Sequence, residues 1–152
     1  FNFFRYKFYR KNQKLTKKAL LSSSPYIFHP TYYDLTFLKY IGNNPFVITV
    51  HDMTYERLPE YFSGAEGTIQ LKREIITKAN RIIAISENTK KDIVEILNIA
   101  PSKIDVIYHG TSMQPLLGRQ KLSLPNKYLL FVGDRTSYKN FQRLLEAFKT
   151  YI

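Results

Sequence analysis

The three histidines of this chain, His29, His51 and His109, each close a short apolar run: Tyr26–His29, Phe46–His51 and Asp105–His109. In an open parallel α/β sheet, ligands settle in the crevice beyond the carboxyl ends of the strands, so a side chain placed there faces them. A strand-end histidine can equally be a hydrogen-bonded boundary residue. Both readings stand for each of the three, with His51 the foremost candidate for ligand contact. Asp52 follows it directly and Glu56 lies one helical turn further on. Asp52 either takes part in acid–base chemistry or caps the turn after the strand, and capping is the preferred reading.

A second constellation is FVGDRTSYKNFQRLLEAF, Phe131 to Phe148. It reads as a strand, then Gly133, then a short polar loop with Arg135 and Lys139, then a helix. Glycine lets backbone come close to a ligand, and a helix start offers unpaired N–H groups with partial positive charge. Arg135 presents a planar fork to phosphate oxygens and Lys139 a compact point charge. The set suits a diphosphate; the alternative is a solvated basic loop that caps a helix. It is neither GxGxxG nor a P-loop, which would place Ser or Thr after Gly-Lys.

The elements that must carry these residues alternate. Strands are predicted at Tyr26–His29, Phe46–His51, Arg81–Ser86, Asp105–His109 and Tyr128–Gly133, near-continuously apolar as in a parallel sheet covered on both faces. Ile93, Ile96 and Leu97 recur at helical spacing behind Ser86, a residue type suited to an N-cap. Ile69, Ile75, Ile76 and Ala79 give a weaker stripe over Glu66–Asn80. Phe141, Leu144, Leu145, Phe148 and Ile152 give a clear one. The fold class is α/β, a Rossmann-like parallel sheet with flanking helices. The stretch 112–127, with Pro115, Gly118 and Pro125, reads as a linker between a domain over 1–111 and the start of a second over 128–152. One strand–helix pair cannot bury a core alone, so the second domain reads as cut short.

Composition sets the outer bounds. No run approaches the roughly 18–20 apolar residues that a spanning helix needs. The chain has no cysteine, and its three histidines lie apart in sequence, which leaves no thiolate or clustered metal site to read. Seven of the cations behind the net charge of +11 (Arg5, Lys7, Arg10, Lys11, Lys14, Lys17 and Lys18) fall in the first eighteen positions. They alternate with Phe and Tyr. Three uses fit: a cationic helix or arm packing its aromatics on the domain, an anionic membrane surface engaged through residues 1–18, or nucleic acid. Recognisable nucleic-acid motifs are lacking, so no nucleic-acid partner is expected.

The order VITVHDMTYE, RIIAISENTKKDIVEIL, KIDVIYHG and YLLFVGDRTSYKNFQRLLEAF resembles the group 1 (family 4) glycosyltransferases, over Tyr26 to Ile152. These are retaining enzymes of the two-domain GT-B fold, many of them mannosyltransferases of surface-polysaccharide assembly. The resemblance implies a partial GT-B N-terminal domain followed by the first strand–helix unit of the donor-binding domain. It implies a nucleotide-sugar donor (a GDP- or UDP-sugar), no metal or other cofactor, and a glycan or lipid-linked acceptor. Carried over by residue, it places His51 beside the donor sugar as the catalytic candidate, and Gly133, Arg135 and Lys139 at the donor diphosphate. His29, Tyr32 and Tyr33 become acceptor-side candidates. The implied location is cytoplasmic, peripheral on the inner face of a membrane. Residues 1–25 do not match the family's opening strand and Gly-rich turn, and its later pair of Glu would lie beyond Ile152. The fragment is therefore expected to be inactive by itself. Two alternatives stay open: a GT-B-fold phosphorylase or sugar-nucleotide enzyme, and a basic binding module for nucleic acid or a membrane surface.

Overall fold

The structure, a computed structural model, describes residues 2–22, 24–113, 123–135 and 137–151. The chain divides into two compact units, Phe1–His109 and Gly110–Ile152. The expected linker, 112–127, falls mostly outside the described residues.

The first unit is built on three parallel strands, β1 (Val47–Val50), β2 (Arg81–Ala84) and β3 (Ile104–Val106), in the order β1-β2-β3. Their register sets Ile48 beside Ile82 beside Ile104, and Val50 beside Ala84 beside Val106. Helix α3 (Glu66–Lys78) carries the chain from β1 to β2, and α4 (Glu87–Leu97) from β2 to β3. Two crossovers of one hand in a consecutive strand order bring both helices to the same face. Burial follows: Ile48, Val50, Ile82, Ala84 and Ile104 form one core with Ile75, Ile76, Ala79 and Ile93. On the other face Val47, Thr49 and Ile83 are half-buried, and the exposed Arg81 reaches Asp105 at 2.6 Å. The expectation of a sheet covered on both faces is thus corrected: burial alternates along the strands.

The helix signals hold well. The Ser86 side chain accepts a hydrogen bond from the Thr89 N–H, and Asn98 ends α4 in the left-handed region at φ 53°. The first predicted strand shrinks to a single parallel bridge between Phe28 and Phe46. Pro25 and Pro30 flank it, and neither can donate to a ladder. Ahead of it, α1 (Asn2–Leu20) is a helix whose only buried side chain among those described is Leu20. Gln13 ties it to the following loop through Asp34 at 3.0 Å. Three of its aromatics, Tyr6, Phe8 and Tyr9, do not pack inward, for each is more than half exposed. The one-turn helix α2 (Thr54–Arg57) follows β1.

In the second unit, α5 (Phe141–Thr150) forms where the stripe predicts it. The predicted strand Tyr128–Gly133 does not form, and Leu130 and Val132 are 77% and 84% exposed. A strand is held by ladder hydrogen bonds to a neighbour, and none stands beside it among the described residues of this unit. Ile152, the last member of the stripe, lies outside the described residues.

The Ser86 cap satisfies one of the free N–H groups that open α4. Ser86→Ala is expected to lower stability by about 1 kcal/mol, read as an earlier urea-unfolding midpoint at unchanged m-value.

Candidate functional site

Parallel pairing sends the chain out of β1, β2 and β3 at one edge, and His51 and His109 meet there. Their rings lie 5.4 Å apart between centroids and are inclined by 26°, a stacked pair. Their separation along the chain conceals this adjacency across the sheet.

The turn after His51 is held from three sides. The Asp52 carboxylate accepts from the Thr54 N–H at 3.0 Å, the capping role expected of it. Thr89, in the first turn of α4, donates its hydroxyl to the His51 carbonyl at 3.3 Å. Lys72, from α3, donates to the Asp52 carbonyl at 2.6 Å and pairs with the Glu56 carboxylate at 3.0 Å. Arg57 closes the segment by a fork to Asp92 on α4, with a further short contact to Glu95. The Arg57 hydrogen bond holds the Glu95 carboxyl below its ordinary range.

Lys72, Thr89 and Asp92 escaped the sequence reading. Lys72 stands on the apolar stripe of α3, three residues from both Ile69 and Ile75, yet is only 4% exposed. A lysine in that place on a stripe was the available signal, since an unpaired charge is not buried without a partner. Thr89 and Asp92 lie three apart on α4, on the side of Ile93.

Of the acceptor-side candidates, His29 reaches Thr49 across the less covered sheet face, at 2.9 Å. Tyr32 is exposed and lines a groove of mixed character with Asn12, Asp34, Phe28 and Pro30. Its ring lies 5.1 Å from that of Tyr33. Tyr33 turns inward instead: it packs on the core, Lys72 stands over its ring at 5.7 Å, and its hydroxyl is buried without a hydrogen-bond partner. Burial, reinforced by the Asp52 charge, pushes the Tyr33 phenol well above its ordinary range.

In the second unit, Gly133 takes φ 141°, a conformation closed to most side chains. Arg135 rests 5.3 Å above the Phe141 ring and Lys139 is 4.8 Å above that of Tyr138. Both cations are exposed on the loop that opens α5. Among the described residues, no group of three or more His, Cys, Asp or Glu is placed to hold a metal ion.

The raised phenol of Tyr33 has a sign that can be checked. Below the ordinary tyrosine value of about 10 the phenol is neutral in both states and adds no pH dependence. Above it the unfolded chain ionises first, so this residue makes stability fall as pH rises. Tyr33→Phe is expected to flatten that alkaline decline in urea unfolding between pH 9 and 11. At neutral pH it should change stability by no more than about 1 kcal/mol, as the hydroxyl makes no hydrogen bond of full geometry.

A family model, Glycosyltransferase Family 4, matches residues 2–114. No curated protein and no solved structure matches the chain significantly. The match starts inside α1, earlier than the motif resemblance at Tyr26, so the basic helix belongs to the matched stretch although it lacks a Gly-rich turn. It takes in the whole sheet, both crossover helices and the stacked histidines, and it spans well over half of the 152 residues: the chain belongs to Glycosyltransferase Family 4.

Proposed function

We propose that the full-length protein is a retaining glycosyltransferase of the GT-B type, moving a hexose such as mannose from a GDP- or UDP-sugar to a glycan or lipid-linked acceptor in surface-polysaccharide synthesis. The observation that carries this is the pair of imidazoles at the carboxyl edge of the sheet, in a chain of this family. On this reading His51 lies beside the donor sugar. Gly133 lets the backbone approach the donor diphosphate, and Arg135 and Lys139 neutralise its charge as it leaves while an acceptor hydroxyl attacks the same face. Fixed cations do this without reorganising, and the chemistry needs no metal. The acceptor approaches from the Tyr32 side, where an exposed ring beside a groove of apolar and hydrogen-bonding groups suits a sugar. His29 and Tyr33 complete that side, His29 from the sheet face and Tyr33 from beneath the His51 turn.

The basic helix fits an acceptor held at an anionic leaflet on the cytoplasmic side. At 3.6 residues per turn, Lys7, Arg10, Lys11, Lys14, Lys17 and Lys18 fall within about 120° of the helix circumference. Phe8 and Leu15, 63% and 56% exposed, lie on the adjoining sector. Cations beside exposed apolar groups are the pattern of a helix lying at a membrane surface. No described helix is long and apolar enough to cross a membrane.

The test is a thermal-shift screen of the full-length protein against guanosine, uridine and adenosine diphosphate sugars, followed by turnover with the stabilising donor. Arg135→Ala or Lys139→Ala should lower kcat by about 10²–10³-fold, as the loss of one fixed electrostatic donor does elsewhere; full turnover in both variants removes the diphosphate assignment. In sedimentation with vesicles, the protein should pellet with phosphatidylserine-containing bilayers and not with neutral phosphatidylcholine. Equal recovery with both would count against the membrane reading.

A further inference from the structure

Three polar or charged residues are buried among those described: Lys72 at 4%, Thr89 at 5% and Asp92 at 9%. All three touch one seven-residue segment, 51–57. Thr89 holds the carbonyl of His51, Lys72 holds that of Asp52 and the side chain of Glu56, and Asp92 holds Arg57. The Glu56 side chain is itself only 4% exposed. Burying such groups is unfavourable unless each is paired, and a short turn at the surface would close without them. Their convergence on the turn that carries His51 is therefore not explained by packing.

We infer that Lys72, Thr89 and Asp92 are positioning residues that fix the His51 turn against α3 and α4, with the buried Lys72–Glu56 pair as its inner support. Lys72 is suited to this. One ammonium reaches the backbone carbonyl next to His51 and a carboxylate on the following turn, so the two ends of the 52–56 arc are drawn to one point on α3. The other two contacts come from α4, one helical turn apart, and fasten the ends of the segment. The imidazole then leaves β1 in one direction, toward His109, and loses little freedom when a ligand binds. This rests on the reading of His51 as the donor-side residue, and the experiment separates the two.

In the full-length protein, Lys72→Met/Glu56→Gln removes both buried charges together, so neither ion is left alone. The exposed pair on the same helix, Lys78 and Glu74, gives the control Lys78→Met/Glu74→Gln. The first variant is expected to remain folded and to lose about 10–100-fold in kcat, the scale of a small misplacement of a reacting group. Its KM for the donor should stay within about twofold, and the imidazole NMR signals of His51 should shift and broaden. The control should change neither. Thr89→Val, which keeps the β-branch and removes the hydroxyl, should displace the same signals if the charge variant does not fold. Wild-type turnover with unmoved His51 signals in a folded variant overturns the inference. A wild-type protein that transfers no sugar, but whose His51 signals move in the variant, sinks the transferase reading and leaves the positioning role standing.

Discussion

Parallel pairing is the constraint from which the rest follows. Strands that run the same way in consecutive order cannot be joined by tight turns; each must be reached by a crossover. Every strand then ends at the same edge, so His51 and His109, which leave strands with β2 between them, come within stacking distance although more than fifty positions separate them. The register of Ile48, Ile82 and Ile104 fixes this to the residue, because a slip by one would turn that buried row to the other face. The stacked rings lie three residues beyond Ile48 and five beyond Ile104, past the end of both strands.

A sheet edge fixes where a turn begins, but not where its side chains go. That second task falls to hydrogen bonds, which are directional where apolar packing is not. The two helices that bury the sheet also supply the partners: α3 contributes the donor Lys72 from its apolar stripe, and α4 contributes the donor Thr89 and the acceptor Asp92 from the flank of Ile93. Each helix thus does two things with one face. Its isoleucines hold the strands, and the polar residues among them reach past the strand ends to the 51–57 segment. The cap at Ser86 belongs to the same arrangement, since its hydroxyl also lies 3.0 Å from that of Thr89.

What could be read from the sequence was whatever depends on local periodicity. Ser86 followed by Ile93, Ile96 and Leu97 names a capped helix, and the three apolar runs that end near His51, Ser86 and His109 name the strand positions. What could not be read depends on neighbours. Tyr26–His29 has the composition of a strand, but two flanking prolines confine it to one bridge. Tyr128–Gly133 has the same composition and no partner beside it among the described residues of its unit. The alternation of burial in β1 and β2 was hidden because Val47 and Ile83 are as apolar as Ile48 and Ile82. Lys72 was hidden for the opposite reason: its residue type argues for the surface, and only the carbonyl and carboxylate that receive it explain its burial.

The same distinction bears on the cations of the second unit. Arg135 rests over the ring of Phe141 at the start of α5, and Lys139 over that of Tyr138 in the loop before it. At an exposed site such a contact contributes about 0.5–1 kcal/mol, too little to hold a cation against a better partner and enough to keep it near the loop. A charge-assisted hydrogen bond to a phosphate oxygen is stronger, and a guanidinium can make two at once. The rings therefore do not compete with the proposed diphosphate. They hold the two side chains to the segment that opens α5, which Gly133 precedes with a positive φ and open space where a Cβ would stand. Lys72 and these two cations stand at opposite limits of one rule: a charge paired in the interior fixes geometry, while a charge left on a ring at the surface stays available to a ligand.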